Sequence, residues 1–494
     1  MQNLFFDTRK LDESCRAAYG LTEEIMMENA AAALENAILE HGKFSDFRNR
    51  VLIFCGRGNN GADGYALARR LRLRYDVVVF QCEQPSSPLC VLQAERAAKC
   101  GTVFFDLEDF TLEFVESAVV IVDCIFGTGF RGELNEKIQI LLNDANDVSA
   151  FRIACDVPSG IDLDGNVSVG TFKADLTVTM GALKLSLFHD LTKDFTGEVV
   201  CADLGVVRRL YENSSNSPLK AAVLLDESDM FLPHRTRLCV NKGSFGHAVI
   251  AFGEKKGAPV LSGLSAERFG AGLVTLVDLS GDADFDSVPP ELMTATELPE
   301  RTTAIALGMG LGRTAQAEAI IQQFFNFLAV NPEIPCVIDA DACYSPSLPG
   351  FLKQRGRKTV LTPHPKEFQA ILRACSLGDY SVQDCITRRP ELIELFCRAF
   401  PKATIIVKGA NPMIGQFDGR KFNLYVNPFG KPCLAKGGSG DVLSGLIVAL
   451  LSQKYRCIDA AATASLAHAL ASRKIACDFS MTPLELIEKV ASLG

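Results

Sequence analysis

Short apolar runs of strand length alternate with helix-length stretches twice along this chain, and that double alternation restricts the fold more than any other feature of the sequence. The first series contains the runs Val51–Phe54, Val77–Phe80, Val119–Asp123, Ile153–Asp156 and Leu176–Met180, with a helical pattern over Ala62–Arg72 directly after a glycine-rich loop. The second series contains Ala248–Phe252, Leu273–Val277, Ala304–Leu307, Val337–Asp339, Thr359–Leu361 and Thr404–Val407, and it ends in helical patterns at Asp441–Leu451, Ala460–Ile475 and Pro483–Ala491. Strand–helix order of this kind predicts parallel sheets covered on both faces. Between the two series, Asn213 to Pro218 has the composition of a loop. The expected division is an N-terminal α/β domain over residues 1–217 and a second α/β domain over residues 218–494.

Composition narrows the function classes. With 494 residues, 48% of them hydrophobic and 22% charged, each half can bury its own core. A net charge of −9 argues against general nucleic-acid or membrane-surface binding, because phosphate contacts need clustered Lys and Arg. The 17 Cys form no CxxC pair and no regular framework, which suits a reducing compartment. The opening stretch has no apolar signal-peptide core, and Leu443–Leu451 is too short to span a bilayer. These features predict a cytoplasmic protein with small-molecule partners, and they leave its oligomeric state open.

The loop Gly56-Arg57-Gly58-Asn59-Asn60-Gly61-Ala62-Asp63-Gly64 lies between the first strand and its helix. Glycines allow close backbone approach, and a helix start offers free N–H groups to a phosphate. The loop lacks the spacing of the usual dinucleotide fingerprint, and its two Asn and one Asp add oxygens that suit a sugar hydroxyl or a hard cation. Two later strands end the same way: Asp123 precedes Phe126-Gly127-Thr128-Gly129-Phe130-Arg131-Gly132, and Asp156 begins Asp156-Val157-Pro158-Ser159-Gly160-Ile161-Asp162. Ligands of open parallel sheets bind outside the carboxyl ends of the strands, so the three loops predict one site. A lone Asp at a strand end is usually a cap; three such loops favour function.

Met27-Glu28-Asn29-Ala30-Ala31, the three glycine loops, and Ala174-Asp175 with Gly181-Ala182-Leu183-Lys184 resemble, in that order, the NAD(P)H-hydrate epimerase family over roughly residues 1–215. The resemblance implies a Rossmann-like fold and a potassium ion held by Asn60, Asp123 and Ser159. It implies that Asn59, Asn60, Gly61, Ala62 and Asp63, then Gly127, Thr128, Gly129, Phe130, Arg131, Gly132 and Glu133, and Asp156 line the hydrated nucleotide. Ala62 and Leu183 replace a glycine and a proline common in the family, without removing a chemical group. Inversion at C6 of the hydrated ring needs a proton donor and acceptor, and Asp156 is the catalytic candidate.

In the second half, Lys436-Gly437-Gly438-Ser439-Gly440-Asp441 precedes an apolar helical stretch. Bare backbone N–H groups at such a helix start form an anion hole, and Asp441 can accept a hydroxyl proton. For a GxGD alone, a flexible helix cap is the plainer reading, but the glycine density and preceding lysine favour chemistry. KGSFGH (242–247), Gly257-Ala258-Pro259, GAGLVT (270–275), Gly308-Met309-Gly310-Leu311-Gly312, DADA (339–342), TPHPKEF (362–368) and GGSGD are similar to the ADP- or ATP-dependent NAD(P)H-hydrate dehydratase family of the ribokinase-like superfamily, over roughly residues 225–494. The resemblance implies contacts from Ala258, Gly310, His364 and Asp441 to the hydrated nucleotide. It implies contacts from Lys408, Gly409, Ala410, Asn411, Pro412 and Gly440 to the adenine nucleotide, with Asp441 as catalytic base and Mg2+ on the phosphates. Lys431 and Asn411-Pro412 depart from the family's usual residues. His468, inside an Ala-rich helix, reads as packing.

The expected activity is therefore repair of NADHX and NADPHX: epimerisation of the R and S hydrates, then dehydration of the S form with ADP, favoured over ATP, releasing AMP and phosphate. A vitamin or sugar kinase would lack the KGSFGH and TPHP elements. A non-catalytic N-terminal binding module would have less need of Asn60, Asp123 and Asp156 together.

Overall fold

The computed structural model describes residues 1–40, 49–214, 220–281, 284–355 and 358–494. The chain divides into two compact units, one of Asn3–Ala221 and the other of Ala222–Gly494 with Met1–Gln2. The boundary expected between residues 217 and 218 falls outside the described residues.

The N-terminal unit is built on seven parallel strands in the spatial order Val103–Asp106, Asp76–Gln81, Arg50–Cys55, Ala118–Cys124, Phe151–Cys155, Leu176–Met180 and Glu198–Ala202. The pleat sends alternate side chains to opposite faces. Val51, Ile53 and Cys55 enter one core with the helices Glu23–Glu40, Asn59–Leu71 and Pro88–Lys99. Leu52 and Phe54 enter another with the helix Glu136–Asp147. The chain order reverses between Arg50–Cys55 and Ala118–Cys124, which opens a crevice at the carboxyl ends of those two strands. Leu4 and Phe5 pair with Leu183 and Lys184 in a separate parallel bridge, and this fixes Lys184.

In the C-terminal unit the parallel strands run Met293–Ala295, Leu273–Val277, His247–Ala251, Ala304–Leu307, Cys336–Ile338, Thr359–Leu361 and Thr404–Val407. An antiparallel hairpin, Met413–Phe417 and Phe422–Val426, extends this sheet. The helix Ser439–Ser452 is apolar nearly all round and is buried from Val442 to Ser452. It packs with Gly257–Arg268, Cys457–Arg473 and Pro483–Val490 in the core.

The two α/β units agree with the expected fold class. Differences lie at edges and element starts. The strands Val103–Asp106, Glu198–Ala202 and Met293–Ala295 and the hairpin were not expected from the sequence pattern. The first glycine loop is shorter than expected: the helix begins at Asn59 rather than Ala62, so both Asn lie in its first turn. Among the described residues no helix is long and apolar enough to cross a membrane. All 17 Cys are free thiols.

Candidate functional site

A cavity of about 820 Å³ occupies the crevice of the N-terminal unit. The loops around it are pressed together by glycines. A Cβ on Gly56 would lie 2.1 Å from the Ile125 carbonyl oxygen, and one on Gly61 would lie 1.9 Å from the Gly56 carbonyl oxygen. Only glycine permits this contact between helix, strand end and neighbouring loop. The helix Asn59–Leu71 thus points its first turn into the cavity, and its N-cap residue, Gly58, offers no side chain to its first N–H groups. Such a terminus accepts an anionic group.

Of the residues expected from the sequence, the cavity brings together Asn59, Asn60, Asp63, Gly127, Thr128, Gly129, Phe130, Arg131, Glu133 and Asp156. Gly61, Ala62 and Gly132 do not line it; Ala62 is fully buried. Phe126 and Phe130 stand 5.3 Å apart at its wall and offer apolar surface to a ring.

Asp156 has a left-handed backbone (φ 69°), which turns its side chain sharply off the strand Phe151–Cys155. Its Oδ1 accepts from the Lys184 ammonium at 2.6 Å and the Met180 N–H at 3.0 Å. Its Oδ2 lies beside Gly127, where a Cβ would meet it at 3.2 Å and the Asn60 Oδ1 at 3.4 Å. Lys184 is 1% exposed and also donates to Thr179 Oγ1 at 2.8 Å. The buried ammonium holds one carboxylate oxygen and leaves the other toward the cavity wall.

Asp123 and Ser159 are fully buried beneath that wall and do not line the cavity. Asp123 accepts from Ser159 N–H (2.7 Å), Ser159 Oγ (2.7 Å) and Ile125 N–H (3.1 Å), while Ser159 Oγ accepts from Phe126 N–H (2.9 Å). These bonds tie the second loop to the third. Burial pushes the Asp123 pKa up to about 6. Asp63, on the buried face of the helix Asn59–Leu71 with the Cys155 thiol 3.8 Å away, is pushed well above the ordinary carboxylate range by burial and by neighbouring Asp156.

Sequence reasoning missed Asp12, which lines the cavity from the helix Arg9–Tyr19. Lys184, within Gly181-Ala182-Leu183-Lys184, likewise had no role expected from the sequence. The motif itself was the signal for Lys184; nothing local marks Asp12.

In the C-terminal unit, Asp441 sits in the first turn of Ser439–Ser452, after Gly438 in the left-handed region (φ 90°). Burial, with Asp339 nearby, raises its pKa to about 6. Asp339 accepts from Lys408 Nζ at 2.8 Å and from Ser444 Oγ at 2.7 Å. A Cβ on Gly440 would stand 3.4 Å from Lys408 Nζ, so Lys408, Asp339 and Gly440 meet at the helix start. Burial works against the Lys408 ammonium, but Asp339 and Glu367 outweigh it and its pKa rises. Gly310 (φ 66°) packs on Ala258, whose Cβ would be 3.1 Å from one placed there. His364 caps the helix Pro365–Ala374: its Nδ1 accepts from the N–H groups of Lys366 and Glu367, both at 3.2 Å. Beyond Lys408, Gly409 and Ala410 are exposed, Asn411 is turned inward, and Pro412 accepts from Asn427 N–H. His468 does more than pack. Buried, with its pKa lowered to about 4, its Nε2 lies 2.9 Å from the Ser439 carbonyl oxygen and 3.1 Å from Ser439 Oγ, and so holds the helix start.

Residues 248–492 match the NAD(P)H-hydrate dehydratase family, and residues 23–186 match the family of YjeF-related protein N-termini. The chain is 39% identical over 493 residues to the bifunctional NAD(P)H-hydrate repair enzyme Nnr of Helicobacter pylori, covering 100% of both chains. The enzymes of the same name from Dictyoglomus turgidum and Escherichia coli are each 30% identical, covering 94% and 96% of this chain and 92% and 89% of their own. Among solved structures, an ADP/ATP-dependent NAD(P)H-hydrate dehydratase from Bacillus subtilis is similar over 55% of this chain and 97% of its own, with a TM-score of 0.46 and 24% identity. The chain belongs to the family of bifunctional NAD(P)H-hydrate repair enzymes.

Proposed function

We propose that the N-terminal unit epimerises the R and S hydrates of NADH and NADPH at C6, and that the C-terminal unit dehydrates the S hydrate with ADP. The observation that carries this reading is that each unit sets one carboxyl against a bare helix start: Asp156 in the cavity with the first turn of Asn59–Leu71, and Asp441 within the first turn of Ser439–Ser452. A helix start suits the phosphates of a nucleotide, and the carboxyl suits proton transfer at the hydrated ring.

In the dehydratase, Asp441 accepts the proton of the C6 hydroxyl as that oxygen attacks the terminal phosphate of ADP. The N–H groups of the GGSGD turn stabilise the charge that develops there. Phosphate then leaves C6, driven by the ring-nitrogen lone pair, and loss of a C5 proton restores the dihydronicotinamide. A pKa near 6 gives Asp441 the basicity this step needs near neutral pH. Lys408 to Pro412 and Gly440 would face the adenine nucleotide, with Ala258, Gly310 and His364 toward the hydrate. Mg2+ would neutralise the phosphates.

Potassium fits the N-terminal residues by donor chemistry: an amide oxygen, one carboxylate and a hydroxyl form a hard set of low charge. Among the described residues the buried Asn60 Nδ2 has no hydrogen-bond partner, and the amide turned over would present its oxygen there instead. Asn60, Asp123 and Ser159 would hold the ion, where it would offset carboxylate charge beneath the cavity. We place the enzyme in the cytoplasm.

The test incubates the protein with mixed R and S NADHX and ADP and follows dihydronicotinamide absorbance. Recovery must require ADP and release AMP; a stable phosphorylated product would identify a kinase instead.

A further inference from the structure

The reading of the cavity as an epimerase site leaves one half of the chemistry unassigned. The C6 carbon of the hydrate carries both a hydroxyl and the ring nitrogen. Inversion there needs one group to take a proton and another to give one. Asp156, paired with the Lys184 ammonium, supplies the acceptor.

Asp12 is the other carboxyl placed for the task. It sits in the first turn of Arg9–Tyr19 and lines the same cavity. Tyr211, 1% exposed, donates its hydroxyl hydrogen to Asp12 Oδ1 at 2.6 Å. Among the described residues no other donor bonds to Asp12, and no cation pairs with it. The Tyr211 ring packs directly on Gly181, where a Cβ would lie 2.4 Å from it. Gly181 follows Met180, whose N–H holds Asp156. Asp12 and Asp156 are therefore braced through one short run of structure, one carboxyl against a neutral hydroxyl and the other against an ammonium.

We infer that Asp12 is the second catalytic residue of the epimerase, donating the proton that Asp156 does not. In the forward step Asp156 takes the C6 hydroxyl proton, the C6–N1 bond breaks, and C6 becomes an aldehyde. The electron pair of the broken bond passes to N1, which receives the proton of Asp12. Rotation about C5–C6 exposes the other face. N1 then attacks the aldehyde, returns its proton to Asp12, and the oxygen recovers a proton from Asp156. Atoms and charge balance, and no co-reactant is required.

The surroundings support the protonated form. Burial raises the Asp12 pKa above its ordinary value, with Asp156 adding to the shift, while Tyr211, Lys184 and Arg16 oppose it. Asp63 and Cys15 are the other titratable neighbours that sense its charge.

The test uses the full chain and mixed NADHX, with R–S exchange followed by chromatography. Asp12→Asn is expected to lower epimerase kcat about 100-fold or more with KM little changed, to leave dehydration of the S hydrate intact, and to abolish the limb on which rate falls as Asp12 loses its proton with rising pH. Asp12→Glu restores part of kcat and keeps that descending limb, and Tyr211→Phe displaces it. Circular dichroism checks that each variant is folded. A folded Asp12→Asn protein with near wild-type kcat, or a reduced rate on an unchanged pH profile, overturns the assignment, as does loss of rate in Asp12→Glu without a descending limb. If the wild-type protein itself fails to speed exchange, the reading of the cavity fails instead.

Discussion

Replacing Lys184 by Met keeps the length of the side chain and removes the charge that faces Asp156 2.6 Å away in a site where Lys184 is 1% exposed. Asp156 is 14% exposed and faces the cavity, so losing its partner costs less than the about 3–5 kcal/mol of a fully buried pair, and about 2 kcal/mol is expected. With a urea slope of about 2 kcal/mol per M, the transition of the N-terminal unit should shift down by about 1 M. The assay is urea unfolding of full-length protein by hydrogen exchange of N-terminal peptides, with epimerase and dehydratase rates measured alongside. Epimerase is lost and dehydratase retained. A shift below about 0.3 M would refute the argument that the Lys184 ammonium stabilises Asp156.

Asp441→Asn should abolish dehydration while epimerisation continues, and the wild-type dehydratase rate should fall as pH drops through about 6, because a carboxyl with a raised pKa loses its basic form there; a rate flat down to pH 5 speaks against Asp441 as the base. Gly61→Ala puts a Cβ 1.9 Å from the Gly56 carbonyl oxygen, so the helix start must shift; a loss of about 3 kcal/mol or more in the N-terminal unit is expected by denaturant unfolding, and a neutral result would show that the contact yields. Asp123→Ala strips the acceptor from two N–H groups and a hydroxyl, at about 1–3 kcal/mol per buried group, and should remove potassium dependence and most epimerase activity. Assay in buffer free of monovalent metal ions, then with potassium restored, checks it.

The central strands were legible because both of their faces are buried, which produces apolar runs such as Val51–Phe54 and Ala304–Leu307. Edge strands are less buried: Val103–Asp106 and Glu198–Ala202 leave half or more of their residues partly or fully exposed, and their short apolar runs, Val103–Phe105 and Val199–Ala202, stand out less beside polar neighbours. The hairpin turn did have a signal, Asp418-Gly419 between two apolar stretches, that the parallel pattern overshadowed. The helix start at Asn59 was hidden because its first turn is polar and glycine-rich, so helical periodicity emerges only at Ala62. Gly61 shows where a motif misleads: its conformational freedom serves packing against Gly56, and it does not line the cavity. Asp12 had no local mark at all. It reaches the cavity only because the helix Arg9–Tyr19 lies beside it, and its partner Tyr211 is 199 residues away.

The central claim is that one chain carries both activities, and the extent of a single reaction measures it. Mixed R and S NADHX is supplied with excess ADP, and dihydronicotinamide recovery is followed to its end point. Two working sites convert the whole mixture in one rapid phase, because the R form is fed continuously to the dehydratase. Recovery that halts at the S fraction and then creeps at the rate of uncatalysed exchange would contradict the account.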